Sequence, residues 1–415
     1  MTNSDRYVVL ILDGRAAYNS IGMFNRELAR VIRTTGLDVV FLNLDNADDF
    51  NNTLRQTMAD YPERIALALS FSGFGVEIGD STESGNLWQR LKIPMLSYML
   101  DHPAYYLARH KSPSPAVMRI YCNRDFLEFH RDHVRSPFRT AYVPFGAMTH
   151  GRLPQKREIK AGEQPLIIFP KSGSDPQKLR EPWTLLPRLM QRILNDSIDH
   201  YWGQTARSGA VSPSVLAAAD AAGVELRNDL TLFTFFVTFV DDYIRKSKVD
   251  ILVRKLLTCP VKIYGDGLDY IDSVHARAEI LPPVGYDRLI DMYGESFAII
   301  SMNQNIDDEC HDRPYAALGC GAMPITDTNP WWAKNYPALL PYSYDFCERS
   351  IVGAIEKLLD DPATAADIAW QESQRQIQKR TFDDMVMETL ELALMQRYFT
   401  FNFQPPQLYY NKCGG

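Results

Sequence analysis

Short continuous apolar runs alternate with segments whose apolar residues recur every three to four positions. Tyr7–Leu12 is an unbroken apolar run, the mark of a strand buried on both faces. Asn19–Arg33 then places Ile21, Phe24, Leu28, Val31 and Ile32 at helical spacing. Val39–Leu42, Ile65–Leu69, Met95–Leu100 and Val117–Tyr121 read as further strands. Asp48–Tyr61, Asn86–Leu91, Ala104–His110 and Arg124–His133 read as the helices between them. Strands alternating with helices predict a parallel sheet with right-handed crossovers.

Thr149 to Gln164 is polar, basic and poor in apolar residues, and it reads as a linker. The alternation restarts at Leu166–Phe169. A helix-rich insertion follows from about Glu181 to Ala222, and Asp241–Leu257 is a strong helix stopped by Cys259-Pro260. Val261–Tyr264, Glu279–Leu281, Phe297–Ser301 and Met323–Thr326 are strands. Tyr286–Tyr293 is a helix, Pro314–Gly319 starts another, and the chain after Phe346 is nearly all helical to Arg397. The predicted fold is α/β: two Rossmann-like domains facing a central cleft, with a helical insertion and a C-terminal helical tail. The first domain spans 1–150 and the second 165–380. Residues 381–415 form a terminal helix and an aromatic tail that pack back on the first domain or make a peripheral membrane contact.

With 46 % apolar and 23 % charged residues among 415, the chain has the makeup of a globular protein. The 44 Lys+Arg against 51 Asp+Glu give a net charge of −7, which argues against a chain-wide nucleic-acid footprint. No run approaches the roughly 18 apolar residues of a membrane span; Leu230–Val240 comes nearest, with three Thr inside it. The N-terminal residues read as a first strand rather than a signal peptide. The six Cys form no C-x-x-C pair, so a reduced, cytoplasmic protein without a zinc site is expected.

In open parallel sheets ligands sit at the carboxyl ends of strands, so chemistry is sought there. Gly265-Asp266-Gly267 follows one strand, either as a tight turn or as a close approach to a ligand. His311-Asp312-Arg313 precedes a helix of small residues, then Gly321 and a strand ending in Asp327. The free N–H groups of that helix start and the fork of Arg313 suit a phosphate; the plainer reading is an exposed cap with Asp312 as N-cap. On the helix Asp241–Leu257, Asp242, Arg245 and Lys246 extend the stripe of Val249, Leu252, Val253 and Leu256. They read as an ion pair at a domain edge or as a catalytic carboxylate with basic neighbours; Arg254 lies off the stripe. In the first domain, Asp101 and His102 follow a strand and suit a general base with its orienting carboxylate. Arg15, Ser72 and Gly73 lie in loops of the same edge. His130 and His133, interleaved with Arg131 and Arg135, read as a solvated helix face.

The segment HDRPYAALGCGAMPITD, at 311–327, resembles the donor-site segment of GT-B glycosyltransferases, where an acidic-Arg pair precedes a small-residue helix. IYCNRDFLEFHRD…AYVPFGA and VDDYIRKSKVDILVRKLLTCPVKIYGDG are similar to two further segments of that family, and the likeness runs in order over most of the chain. It is nearest to bacterial transferases related to spore maturation and to capsule or lipopolysaccharide glycosylation. Two positions depart. Asp312 replaces the usual Glu, and Ala316 stands where many retaining members hold the nucleotide ribose with Glu.

The resemblance implies a glycosyltransferase without a cofactor, taking a nucleotide sugar in the second domain and a glycan or lipid-linked acceptor in the first. It implies donor binding by Arg245, Arg254, Gly265, Asp266, Gly267, His311, Asp312, Arg313 and Gly321, and acceptor binding by Arg15, Ser72 and Gly73. Catalysis would fall to Asp242 as a nucleophile in a retaining enzyme, or to His102 and Asp101 as base in an inverting one. A carboxylate nucleophile would suit a keto-sugar donor such as CMP-Kdo. With no D-x-D after a strand, metal-independent transfer is expected. A non-hydrolysing sugar-nucleotide epimerase and an inactive sugar-nucleotide-binding protein are the alternatives.

Overall fold

A computed structural model describes residues 6–14, 20–83, 85–159, 163–204, 208–303 and 305–401. The chain divides into two units: residues 1–144 with 383–415, and residues 145–382.

The first unit runs β1 (Val8–Asp13), α1 (Ser20–Thr34), β2 (Asp38–Asn43), α2 (Ala47–Asp60), β3 (Ile65–Phe71), α3 (Leu87–Leu91), β4 (Met95–Met99), α4 (Leu107–Lys111), β5 (Val117–Tyr121), α5 (Arg124–Phe129) and β6 (Thr140–Tyr142). All six strands pair in parallel, in the order β2-β1-β3-β4-β5-β6. The order reverses at β1 and β3, so their carboxyl ends mark the switch point. The apolar run of β1 is fully buried from Val8 to Leu12, and α1 buries Ile21, Phe24, Leu28, Val31 and Ile32, as their spacing predicts. β6 escapes the sequence reading because three half-buried edge residues show no period. The helix predicted over Arg124–His133 widens after Phe129 into a π turn, His130–Val134. The turn carries His130 inward, to 2 % exposure, which overturns its reading as part of a solvated face.

The second unit runs β7 (Ile167–Pro170), α6 (Pro176–Arg180), α7 (Arg188–Trp202), α8 (Ser212–Ala221), α9 (Leu230–Leu256), β8 (Lys262–Tyr264), β9 (Glu279–Leu281), α10 (Tyr286–Glu295), β10 (Ala298–Ile300), α11 (Asp312–Cys320), β11 (Met323–Ile325), α12 (Pro330–Asn335), α13 (Ile351–Asp360) and α14 (Pro362–Lys379). Its five parallel strands lie in the order β11-β10-β7-β8-β9, with the switch point between β7 and β10. The helical insertion begins at α6, a few residues before the predicted start. α9 has 27 residues and begins eleven positions before the helix predicted there. Its first half is rich in Phe, Val and Thr, which mask a helix by propensity. Asp229 caps it by accepting from Leu232 N at 2.9 Å, and Thr234 turns its hydroxyl back to Leu230 O at 2.8 Å. No helix among the described residues is long and apolar enough to cross a membrane.

The chain then returns to the first unit as α15 (Phe382–Phe401). Arg397 donates to Ile65 O at 2.7 Å, Gln396 donates to Pro115 O at 2.5 Å, and Arg30 pairs with Asp383 at 2.6 Å. Tyr398 and Phe399 are half exposed, with Arg139 over the Phe399 ring. The aromatic positions Phe403, Tyr409 and Tyr410 lie outside the described residues.

Candidate functional site

Lys171 is the first residue after β7, and the loop 301–311 follows β10, so both flank the switch point of the second sheet. Asn303 ties this loop down at both ends. Its N–H donates to Asp327 Oδ1 at 2.6 Å, and its Oδ1 accepts from His311 N at 2.9 Å. Asn329 donates to the carbonyls of Ile306 and Glu309 at 2.8 and 2.7 Å. The fastened loop delivers His311 to the start of α11, where its Nδ1 accepts from Arg313 N at 3.4 Å. His311 is therefore the N-cap, and Asp312 is the first helical residue, correcting the predicted cap. The Asp312 carboxylate lies against the His311 ring and accepts from Tyr286 OH at 3.2 Å.

Four cations gather around this helix start. The like charges of Arg313, Arg245 and Lys246 all act on Lys171. Burial, and then these charges, push the Lys171 amine well below the usual lysine range, while Asp312 pulls the other way. The Lys171 side chain has no hydrogen bond or ion pair to a described residue. Arg313 Nε is buried without a partner among the described residues. Burial opposes the Arg313 charge, but Asp312, Tyr293 and Tyr286 outweigh it and raise its pKa. Burial pushes Asp312 up, yet His311 and Arg313 outweigh it and hold it below the carboxylate range. Burial also lowers His311, against the opposing pull of the Asp312 carboxylate. Asp312 lies among these basic groups, and Asp241 pairs with Arg245 at 3.7 Å. Such a cluster, with free N–H groups of a nine-residue helix beside it, is complementary to a multiply charged anion such as a diphosphate.

Several predicted residues are elsewhere. The inward carboxylate of α9 is Asp241, 3 % exposed; Asp242 is only half-buried. Asp241, not Asp242, pairs with Arg245, at 3.7 Å. The stripe drifts because α9 is buried over many more turns than Val249–Leu256 alone reveal. Arg254 does not join the described cation cluster: it pairs with Asp250 at 3.0 Å, is 53 % exposed and lies over Tyr270. Gly321 is the left-handed C-cap of α11, with φ +77°, roughly 12 Å of helix from Arg313. It permits close packing on the Gln155 carbonyl and does not face the cations. Gly265 and Gly267 pack against the backbone of Lys171 and Gly173, and Asp266 O accepts from Gly173 N at 2.9 Å. This loop buttresses Lys171, which is the tight-turn reading of Gly265-Asp266-Gly267. Lys171, Asn303 and Asn305 escaped the sequence reading. The signal for Lys171 is its place at the carboxyl end of the strand Leu166–Phe169.

In the first unit, Ser72 follows β3 in the left-handed region, with φ +51°. Its Oγ donates to Asp101 Oδ2 at 3.3 Å, and its carbonyl accepts from Arg109 Nη1 at 2.7 Å. Gly73 N donates to Ser97 Oγ at 3.0 Å. Ser72, Gly73 and Asp101 therefore meet at the carboxyl ends of β3 and β4. His102 does not make the predicted pair with Asp101. Its Nδ1 accepts from Ala104 N at 3.1 Å, and its ring packs edge-on against Phe126 and Phe129. Arg15 lies outside the described residues.

The strand orders define an α/β protein of two parallel-sheet units, one of which gathers basic side chains near its switch point. No protein-family model matches the chain, and no curated protein matches it. Among solved structures it is similar to sucrose-phosphate synthase from Thermosynechococcus elongatus, at 11 % identity and TM-score 0.49, over 93 % of this chain and 98 % of that one. It is similar to a glycosyltransferase from Rickettsia africae ESF-5, at 10 % identity and TM-score 0.46, over 94 % and 99 %. An alpha-glucosyltransferase in complex with UDP and a 13-mer DNA containing an HMU base aligns at 10 % identity and TM-score 0.49, over 94 % and 99 %. These similarities concern chain architecture, which here rests on the two sheet orders themselves.

Proposed function

We propose that the protein is a glycosyltransferase that moves a sugar from a nucleotide-sugar donor to a glycan or glycolipid acceptor. One observation carries the reading: the charges of Arg313, Arg245 and Lys246 all act on Lys171, which follows β7 at the switch point, and Arg313 lies in the first turn of α11. The resemblance of residues 311–327 to the GT-B donor segment supports the same place. A nucleoside diphosphate both binds there and leaves there, because the cations and helix N–H groups stabilise the charge that grows on the departing phosphate. The acceptor would lie on the first unit, where Ser72, Asp101 and Arg109 gather.

Catalysis would use either Asp242, one turn before Arg245 and Lys246, or Asp101 as a base near the acceptor hydroxyl. Transfer would proceed without a divalent cation, since the four side chains already supply the positive charge. Activity unchanged in EDTA would agree with this; loss restored by Mg²⁺ would refute it. Thermal shift with UDP, GDP, ADP, CMP and dTDP tests the central reading, because a ligand that binds the folded state raises its stability. At least one nucleotide should raise the melting temperature of the wild type and fail to raise that of Arg313→Ala. No shift with any of them would remove the donor site.

A further inference from the structure

Like charges clustered at one pocket repel one another before any anion arrives, so each must be held in place by something else. Arg245 is held by a chain of contacts that leads away from the pocket. Its guanidinium lies 3.7 Å from Asp241 Oδ2. Asp241 Oδ1 accepts from Asn305 Nδ2 at 2.8 Å. Asn305 Oδ1 accepts from Lys248 Nζ at 2.6 Å and from Tyr201 OH at 3.2 Å. Lys248 Nζ also donates to Tyr201 OH at 2.8 Å and lies over the rings of Tyr201 and Phe346, at 5.3 and 5.1 Å.

Lys248 has 0 % exposure and Asn305 has 2 %. Burying an ammonium costs several kcal/mol, and a methionine would fill a similar space without that penalty. The amine therefore has a task that an apolar chain cannot perform. Burial pulls it down to about 8, while Asp327, Asp241 and Asp307 pull it up, so at pH 7 it remains a charged donor. Its two hydrogen bonds go to Tyr201 and to Asn305. Asn305 sits in the left-handed region, with φ +50°, a conformation that Asn tolerates when side-chain bonds hold it.

We infer that Lys248 is a positioning residue of the anion site: it fixes Asn305, which holds Asp241, which orients Arg245 toward the phosphate. The inference rests on reading the cationic pocket as a diphosphate site.

The test is calorimetric titration with inorganic pyrophosphate in metal-free buffer. The proteins are the full-length wild type, Lys248→Met, Arg245→Ala, the double variant, Asn305→Gly and Arg313→Ala. Thermal unfolding of each checks the fold. Lys248→Met should weaken binding about tenfold, yet cause no further loss in the Arg245→Ala background, because both act through one guanidinium. Asn305→Gly, which keeps the backbone conformation and removes the relay, should match Lys248→Met, and it carries the comparison if Lys248→Met does not fold. Additive losses in the double variant would overturn the inference, and so would wild-type affinity in Lys248→Met or Asn305→Gly. If Arg313→Ala alone loses binding, the site stands and the relay falls. If the wild type does not bind pyrophosphate, both fall.

Discussion

The Arg313 guanidinium, one residue inside a helix start and with an Nε buried without a partner among the described residues, is placed to meet an anion. Arg313→Ala should weaken nucleoside diphosphate binding roughly 10- to 100-fold, the worth of a charge-assisted contact, with little change in melting temperature. Titration calorimetry checks both. A second residue-scale prediction concerns a buried chain in the first unit that the proposed chemistry does not use. His110 Nδ1 and His130 Nδ1 both bond to Tyr121 OH, at 2.7 and 2.8 Å. Burial, and then Arg119, lower His130 to about 4, and burial lowers His110 as well. Both rings stay neutral in the fold, while the unfolded chain takes up their protons from about pH 6.5 downward. Stability should therefore be full above pH 6.5 and fall as pH drops toward 4, by on the order of 3 kcal/mol from His130. Urea unfolding across that range should show a shallower slope for His130→Phe. Arg313 was legible because charge before a small-residue helix is a local pattern. The burial of His130 was not, because a π turn between α5 and β6 leaves no periodic trace.

At the scale of elements, α9 shows where local reading fails. The apolar stripe of Val249, Leu252, Val253 and Leu256 is buried as predicted. Which carboxylate faces inward depends on phase accumulated over a helix of 27 residues, and on packing against α7, α8 and α13. A reading anchored in the last turns chose Asp242, whereas Asp241 is the buried one. The N-terminus of the helix rests on Asp229. Asp229→Ala should cost about 1 kcal/mol in urea unfolding, the usual worth of a cap. Nucleotide affinity should be unchanged, because Arg245 lies several turns beyond the lost bond. Reduced affinity in a fully folded Asp229→Ala protein would show that the first half of α9 also sets the pocket.

At the scale of the whole molecule, the chain leaves the first unit at Pro144 and returns at Asp383. The bonds from Arg397 to Ile65 O and from Gln396 to Pro115 O tie α15 to β3 and to the approach to β5. A chain ending at residue 382 should therefore lose the cooperative unfolding of the first unit. The fragment 145–382 should fold alone and bind nucleotide, since all four cations belong to it. Circular dichroism and calorimetry on the two truncations check both outcomes. The sequence by itself determined the parallel α/β character of both halves and the strand-end loops that hold the candidate residues. These follow from local periodicity, which each segment carries whatever surrounds it. It did not place the boundary between the units, which falls at residue 144 rather than in the segment 149–164. Only the tertiary structure decided that Lys171 joins Arg313, that Asp241 rather than Asp242 turns inward, and that Asn305 and Lys248 stand behind Arg245. Those residues come from segments far apart in the chain, and no local pattern encodes which side chains meet once strands β7 and β10 lie side by side.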